Sequence, residues 1–70
     1  MKIQNNLKIS IITCTYNSEK FLEKALNSIE SQSYTNIEHI INDSYSTDRT
    51  LAIIQDYIER NQSRYDIKLI

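Results

Sequence analysis

Lys8-Ile-Ser-Ile-Ile-Thr-Cys-Thr-Tyr-Asn17 and Ile37-Glu-His-Ile-Ile-Asn-Asp-Ser-Tyr-Ser-Thr-Asp48 begin about thirty residues apart and share one design. In each, a β-branched apolar run leads straight into a polar turn, and the turn opens a helical pattern. Ile9, Ile11 and Ile12, with Ser10 between them, predict a strand over roughly 8–14, and Ile37, Ile40 and Ile41 predict a second over about 37–42. Two strands of one parallel sheet end on the same rim, and ligands bind in the crevice outside that rim. The two polar turns should therefore meet at one place.

The segments between and after these strands carry helical spacing. Asn17 or Ser18 is a plausible N-cap, and Glu19 suits the positive end of a helix dipole. Phe21, Leu22, Ala25, Leu26 and Ile29 then form one apolar stripe, with Glu23, Lys24, Asn27 and Glu30 off it. The helix should end near Gln32, with Ser33-Tyr-Thr-Asn36 as the connection. After the second strand, Ser46, Thr47 or Asp48 can cap a helix whose apolar set is Leu51, Ile53, Ile54, Tyr57 and Ile58. Arg60 falls in its last turn, and Asn61 is expected at the C′ position usually given to Gly. Ile67-Lys-Leu-Ile70 predicts a third strand.

The order β-α-β-α-β, in units of about thirty residues, predicts an α/β, Rossmann-like architecture with a parallel sheet and right-handed crossovers. Adjacency gives the spatial order 3-2-1. Two such crossovers place both helices on one face, whereas a parallel sheet is normally covered on both, in three layers. The 70 residues are therefore expected to be one partial domain: a polar lead-in over 1–7, and a third strand within which the chain ends. The rest of the domain would lie in further sequence, and the unfinished sheet edge offers a route to self-association.

Composition narrows the function classes. The 70 residues are 40% hydrophobic and 24% charged, with formal net charge -1. No basic run points to nucleic acid, and no apolar stretch approaches the roughly 20 residues of a membrane helix. A cytoplasmic placement is the expectation, with peripheral membrane attachment through further sequence left open. Glycine and proline are both absent, which removes the G-x-G-x-x-G fingerprint and the P-loop. Every turn must then rely on Asn, Asp and Ser. The single cysteine, Cys14, has no partner for a disulfide and no zinc-site companions. Asn42-Asp43-Ser44 and Asn61-Gln62-Ser63 match a glycosylation sequon, but nothing marks the chain as secreted.

The rim itself offers Thr13 to Asn17 from the first turn and Asn42 to Asp48 from the second. A tyrosine can stack on a flat ring, and a carboxylate can accept from a base N–H or a ribose hydroxyl. Two helix N-termini aimed at the crevice favour an anionic ligand. These features describe a site of nucleotide or phosphosugar size without glycine loops. The plainer reading is that the same residues only turn and cap.

Ile9 to Asn17 resembles the opening strand of the family 2 glycosyltransferases, inverting enzymes with a GT-A fold. That family usually ends the strand in Pro-Thr-Tyr-Asn, and here Cys14 stands where the proline would be. The similarity continues through Phe21-Leu22, Ala25-Leu26, Ser28-Ile29 and Ser31-Gln32-Ser33-Tyr34. It resumes at Asn36-Ile-Glu-His-Ile-Ile41, Asp43 and Ser46-Thr-Asp48, and runs on into Thr50-Leu51. It covers residues 8 to about 70.

The resemblance implies the N-terminal part of a GT-A nucleotide-diphospho-sugar transferase, with a UDP-sugar donor and a glycan or lipid-linked acceptor. It implies nucleotide-binding roles for Cys14, Thr15, Tyr16, Asn17, Asp43 and Ser44. Tyr16 matches an aromatic residue beside the base. Asp43 matches the first acid of an Asp-Asp-Gly-Ser or Asp-Gly-Gly-Ser turn, Ser44 falls where many members carry a second aspartate, and Tyr45 falls on the glycine. If the backbone at Tyr45 needs φ > 0, it should be strained. The family's Asp-x-Asp, which holds Mg²⁺ or Mn²⁺, and its catalytic carboxylate lie on later segments. No D-x-D occurs here, so no catalytic or metal-binding residue is assigned and the chain alone is expected to be inactive. Two alternatives remain: a non-catalytic, truncated or degenerate α/β binding module, and an unrelated flavodoxin- or receiver-like fragment. A receiver would need clustered acids at the end of the first strand, where Thr13-Cys-Thr supplies none.

Overall fold

The structure, a computed structural model, describes residues 7–70; most of the expected lead-in, 1–6, lies outside the described residues. Five elements follow one another as β1 (Ile9–Thr15), α1 (Glu19–Ser31), β2 (Ile37–Asp43), α2 (Thr50–Asn61) and β3 (Asp66–Leu69). The strands form one sheet in the order β1-β2-β3 with both pairings parallel. Ile9 lies beside Ile37 and Thr15 beside Asp43, so the first two strands end level with each other. Past the end of β3, Ile70 N–H donates to Ile41 O and Asp43 N–H donates to Ile70 O. The third strand therefore follows β2 to the same rim.

Both helices pack on one face of this sheet. Leu22 and Leu26 of α1, Ile41 of β2, and Ile54 and Tyr57 of α2 form the buried core, with Ile29, Ile53, Ile58 and Ile67 against it. Strand alternation explains the choice: Ile37, His39 and Ile41 point to the helices, while Glu38, Ile40 and Asn42 point away. The described residues thus supply the sheet and one helical layer of the expected three. The other face is open, and Ile12 on it is 68% exposed.

Two polar groups are drawn into the core and fully paired there. His39 Nε2 lies 2.7 Å from Thr13 Oγ1, and its Nδ1 lies 2.7 Å from Tyr57 Oη. Burial pushes the His39 pKa below 6.5 and raises the Tyr57 phenol to about 12, so both are neutral at pH 7. Asn61 corrects the expected C′ position. It is the last residue of α2, buried, and its Nδ2 donates to Glu30 Oε2 at 2.7 Å and to Tyr57 O at 2.9 Å. Arg60 adds two bonds to the same Glu30 carboxylate. The ends of the two helices are thereby clasped away from the rim. Phe21 departs from its expected place in the apolar stripe: it is 76% exposed, while Leu22 beside it is buried.

Candidate functional site

At the rim the two turns are joined bond by bond. Thr15 and Asp43 are register partners, and Thr15 Oγ1 donates to Asp43 Oδ1 at 2.7 Å. Ser44 N–H donates to Thr15 O at 2.9 Å, which carries the pairing one residue past the ladder. The Asp43 carboxylate then folds its own turn. Ser46 N–H donates to Oδ2 at 2.9 Å and Ser46 Oγ to Oδ1 at 2.5 Å. Burial pushes the Asp43 pKa up, but the Ser46 and Thr15 hydroxyls and the Ser46 N–H outweigh it and hold the group below 3.8. Asp43 is ionised at neutral pH and its oxygens face the protein's own donors.

Asn17 joins the turns from the other side. Its N–H donates to Ser46 Oγ at 2.9 Å, and its Oδ1 accepts from Thr47 N–H at 2.8 Å and from Asp48 N–H at 3.4 Å. To do this it takes φ 45, a left-handed conformation that Asn tolerates better than most residues. The second left-handed residue is Tyr45, at φ 57. Here the expected strain is present: a non-glycine residue in this region costs roughly 1–2 kcal/mol.

The helix N-termini are cross-capped. Asp48 Oδ1 accepts from Thr50 N–H at 2.9 Å and from the Thr50 hydroxyl, while Asp48 Oδ2 accepts from Glu19 N–H at 3.3 Å. One carboxylate therefore serves the first turns of both helices. In return, Glu19 Oε1 accepts from Arg49 N–H at 3.3 Å, and Thr50 Oγ1 accepts from Ser18 N–H at 2.7 Å. The two helix N-termini expected at the crevice do lie side by side, and part of their N–H groups is paired within the protein. Asp48 engages the Glu19 and Thr50 N–H groups, Glu19 engages that of Arg49, and Thr50 engages that of Ser18.

These bonds divide the six expected nucleotide-binding residues into two groups. Thr15 is buried and its hydroxyl is committed to Asp43; Asn17 and Asp43 are likewise turned to the cross-turn network. Tyr16, 65% exposed, together with exposed Ser44 and Cys14, is what the rim presents to solvent. Cys14 alternates with Thr15 and so lies on the open sheet face beside Asn42, its register partner. Sequence reading treated Ser46, Asp48 and Thr50 as caps or matches and missed that they bridge the turns. The available signal was their spacing of 29–32 residues from Asn17, Glu19 and Ser18, one to four more than the 28-residue register between the strands. Among the described residues no group of three His, Cys, Asp or Glu side chains could hold a metal ion. The rim carboxylates are engaged by N–H and hydroxyl donors, so these residues do not fit the Mg²⁺ or Mn²⁺ expected for a complete enzyme.

Comparison with known proteins places this arrangement. Residues 10–70 match Glycosyl transferase family 2. The chain is 46% identical over 63 residues to the putative glycosyltransferase EpsE of Bacillus subtilis (strain 168), covering 90% of this chain and 22% of that protein. It is 43% identical over 53 residues to the poly(ribitol-phosphate) beta-N-acetylglucosaminyltransferase TarS of Staphylococcus aureus (strain Mu50 / ATCC 700699), covering 73% of this chain and 9% of that protein. Among solved structures, a mannosyltransferase, PcManGT, from Pyrobaculum calidifontis in complex with GDP-Man and Mn²⁺ superposes with a TM-score of 0.77 at 25% identity. The overlap covers 96% of this chain and 20% of that one. The chain thus spans between 9% and 22% of the length of these relatives. The three parallel strands and two helices are those of the GT-A arrangement. With the family matched from Ser10 to the last residue, the chain belongs to glycosyl transferase family 2.

Proposed function

We propose that these residues form the nucleotide-holding part of an inverting glycosyltransferase site, the N-terminal segment of a larger cytoplasmic enzyme. The donor would be a nucleotide-diphospho-sugar, a UDP-sugar in the first instance, and the acceptor a hydroxyl of a glycan or lipid-linked glycan in polysaccharide synthesis. In that reaction the bond between the anomeric carbon and the diphosphate oxygen breaks as the acceptor oxygen bonds to the same carbon. The acceptor's proton passes to a base, and the nucleoside diphosphate leaves.

The observation that supports this reading is the joined pair of turns, which leaves Tyr16 and Ser44 exposed above the Thr15–Asp43 bond. Tyr16 would lie against the base and Ser44 would meet its polar edge. Cys14 would flank the nucleotide, and Asp43, Thr15 and Asn17 would hold the turns in place. The GDP-Man complex of the structural neighbour and the lipid-linked substrate named for a Campylobacter jejuni relative, a GalNAc(5)-diNAcBac-PP-undecaprenol beta-1,3-glucosyltransferase, lend support to the donor and acceptor classes. That neighbour's Mn²⁺ is consistent with metal use in a complete enzyme. No step is assigned to a metal in this chain. No helix among the described residues is long and apolar enough to cross a membrane.

Titration of the isotopically labelled chain with UDP and with GDP, followed by amide NMR shifts, tests the reading. Shifts clustered at Tyr16, Asp43 and Ser44 are expected. A flat response to both nucleotides would instead favour the degenerate, non-binding module. A radiolabelled UDP-sugar assay on the same chain should show no transfer or hydrolysis above background, since no general base is assigned among these residues.

A further inference from the structure

We propose that Tyr45 is a second aromatic platform of the nucleotide site, stacking with Tyr16 on the planar base of a nucleoside diphosphate. The inference rests on the nucleotide-binding reading above and adds to it a residue that sets how the base is held.

Tyr45 combines a left-handed backbone with a solvent-exposed ring. Tyr45 has φ 57, a region glycine enters freely and an aromatic residue enters against steric resistance. The turn leaves it no alternative. Ser44 on one side is tied to Thr15 O, and Ser46 on the other is tied twice to Asp43. The ring is then 93% exposed, and no hydrogen bond or ring contact among the described residues involves it. At 93% exposure the ring buries little surface to offset the backbone cost, and its face is free to meet a ligand from solvent. Strain of this kind collects at ligand clamps.

Its position names the ligand. The Ser44–Thr15 and Asn17–Ser46 bonds bracket residues 16 and 45 between the two turns. Tyr16 and Tyr45, both exposed, therefore leave from neighbouring positions on the joined backbone. Meanwhile, at the helix N-termini, the usual seat for phosphates, the Glu19, Arg49 and Thr50 N–H groups already have acceptors in Asp48 and Glu19. With those groups paired, a share of the affinity has to come from the base. Stacking suits that demand because every base has a π-face, and it is tolerant of base identity for the same reason. Ser44 adds a hydroxyl but no charge at the base edge. The combined expectation is a site that holds UDP and GDP with affinities within a few-fold of each other.

The test measures UDP, GDP and pyrophosphate binding to the 70-residue chain and to Tyr45→Phe, Tyr45→Leu and Tyr45→Gly. Tyr45→Phe should bind both nucleotides as the parent chain does, and its ring protons should move upfield on binding. Tyr45→Leu and Tyr45→Gly should each weaken UDP and GDP on the order of 10-fold, the loss of one stacked ring. Pyrophosphate binding should be unchanged by all three. Tyr45→Gly should also melt roughly 4–8 °C higher, because the left-handed strain is relieved. If the parent chain binds neither nucleotide, this inference falls together with the nucleotide reading. If the parent binds and Tyr45→Leu binds equally well, the inference about Tyr45 alone is overturned and Tyr16 suffices.

Discussion

Asp43 works as a structural hub first, and that has a consequence in acid. Its carboxylate accepts from Thr15, from the Ser46 hydroxyl and from the Ser46 N–H, which together hold its pKa below 3.8 against the opposing effect of burial. A group whose pKa is lower in the folded state stabilises the fold fully above its unfolded value and loses that contribution as pH falls through the folded one. Asp48 behaves alike, with burial opposed by its bonds to Thr50 and Glu19, and Glu38 is lowered by Lys68 and Ser10. Buried His39, lowered from 6.5, begins to reduce stability at higher pH, because below 6.5 the unfolded chain takes up a proton the folded one refuses. The melting temperature should therefore drop in two windows, one below 6.5 from His39 and one below about 4 from the carboxylates. Asp43→Asn should cost about 1 kcal/mol at pH 7 and flatten the lower window while leaving the upper one intact. A melting series from pH 2.5 to 7.5 on both proteins would decide it; an unchanged slope below pH 4 would remove Asp43 from the account.

At the scale of elements, β-α-β-α-β order was legible because each pattern is local. Alternating β-branched residues mark β1 and β2, a 3.6-residue stripe marks α1 and α2, and the strand ends fell within one residue of expectation. The bonds that join elements were not legible in the same way. Asn17 to Thr47, Asp48 to Glu19 and Thr50 to Ser18 span about thirty residues, and only the strand register reveals that those positions meet. Asn61 shows the difference most clearly. A local rule puts Asn after a helix, where its small side chain tolerates a left-handed turn. The tertiary structure instead keeps it in the last helical position because Glu30, from the other helix, offers its buried amide a partner. The two readings predict opposite effects for Asn61→Gly. At a C′ position glycine would be neutral or stabilising; inside the helix it should cost roughly 1.5 kcal/mol, a few tenths from helix propensity and the rest from the lost bonds to Glu30 and Tyr57. Chemical denaturation of Asn61→Gly, with Asn61→Ala alongside to remove the propensity difference, measures both parts.

The described residues make a sheet with one finished face. Leu22, Leu26, Ile41, Ile54 and Tyr57 close the helical side, while the opposite face carries exposed Ile12, Cys14 and Asn42 and half-buried Ile40. At its far end Ser10, Glu38 and Lys68 form a polar ladder, with Lys68 Nζ 3.3 Å from Glu38 Oε2. Apolar area left on such a face associates with other apolar area, and β1 and β3 are open edges that can pair with strands. The isolated chain should therefore self-associate at high concentration, and the face and the core should respond differently to substitution. Ile41→Ala, in the core, should cost about 3 kcal/mol wherever the chain is studied. Ile12→Lys should change the stability of the monomer by no more than about 0.5 kcal/mol, as surface substitutions do, and should shift the sedimentation profile toward monomer. If Ile12→Lys instead destabilised the monomer as strongly as Ile41→Ala, the open face would have to be packed within these 70 residues, and the one-layer arrangement of helices would be wrong.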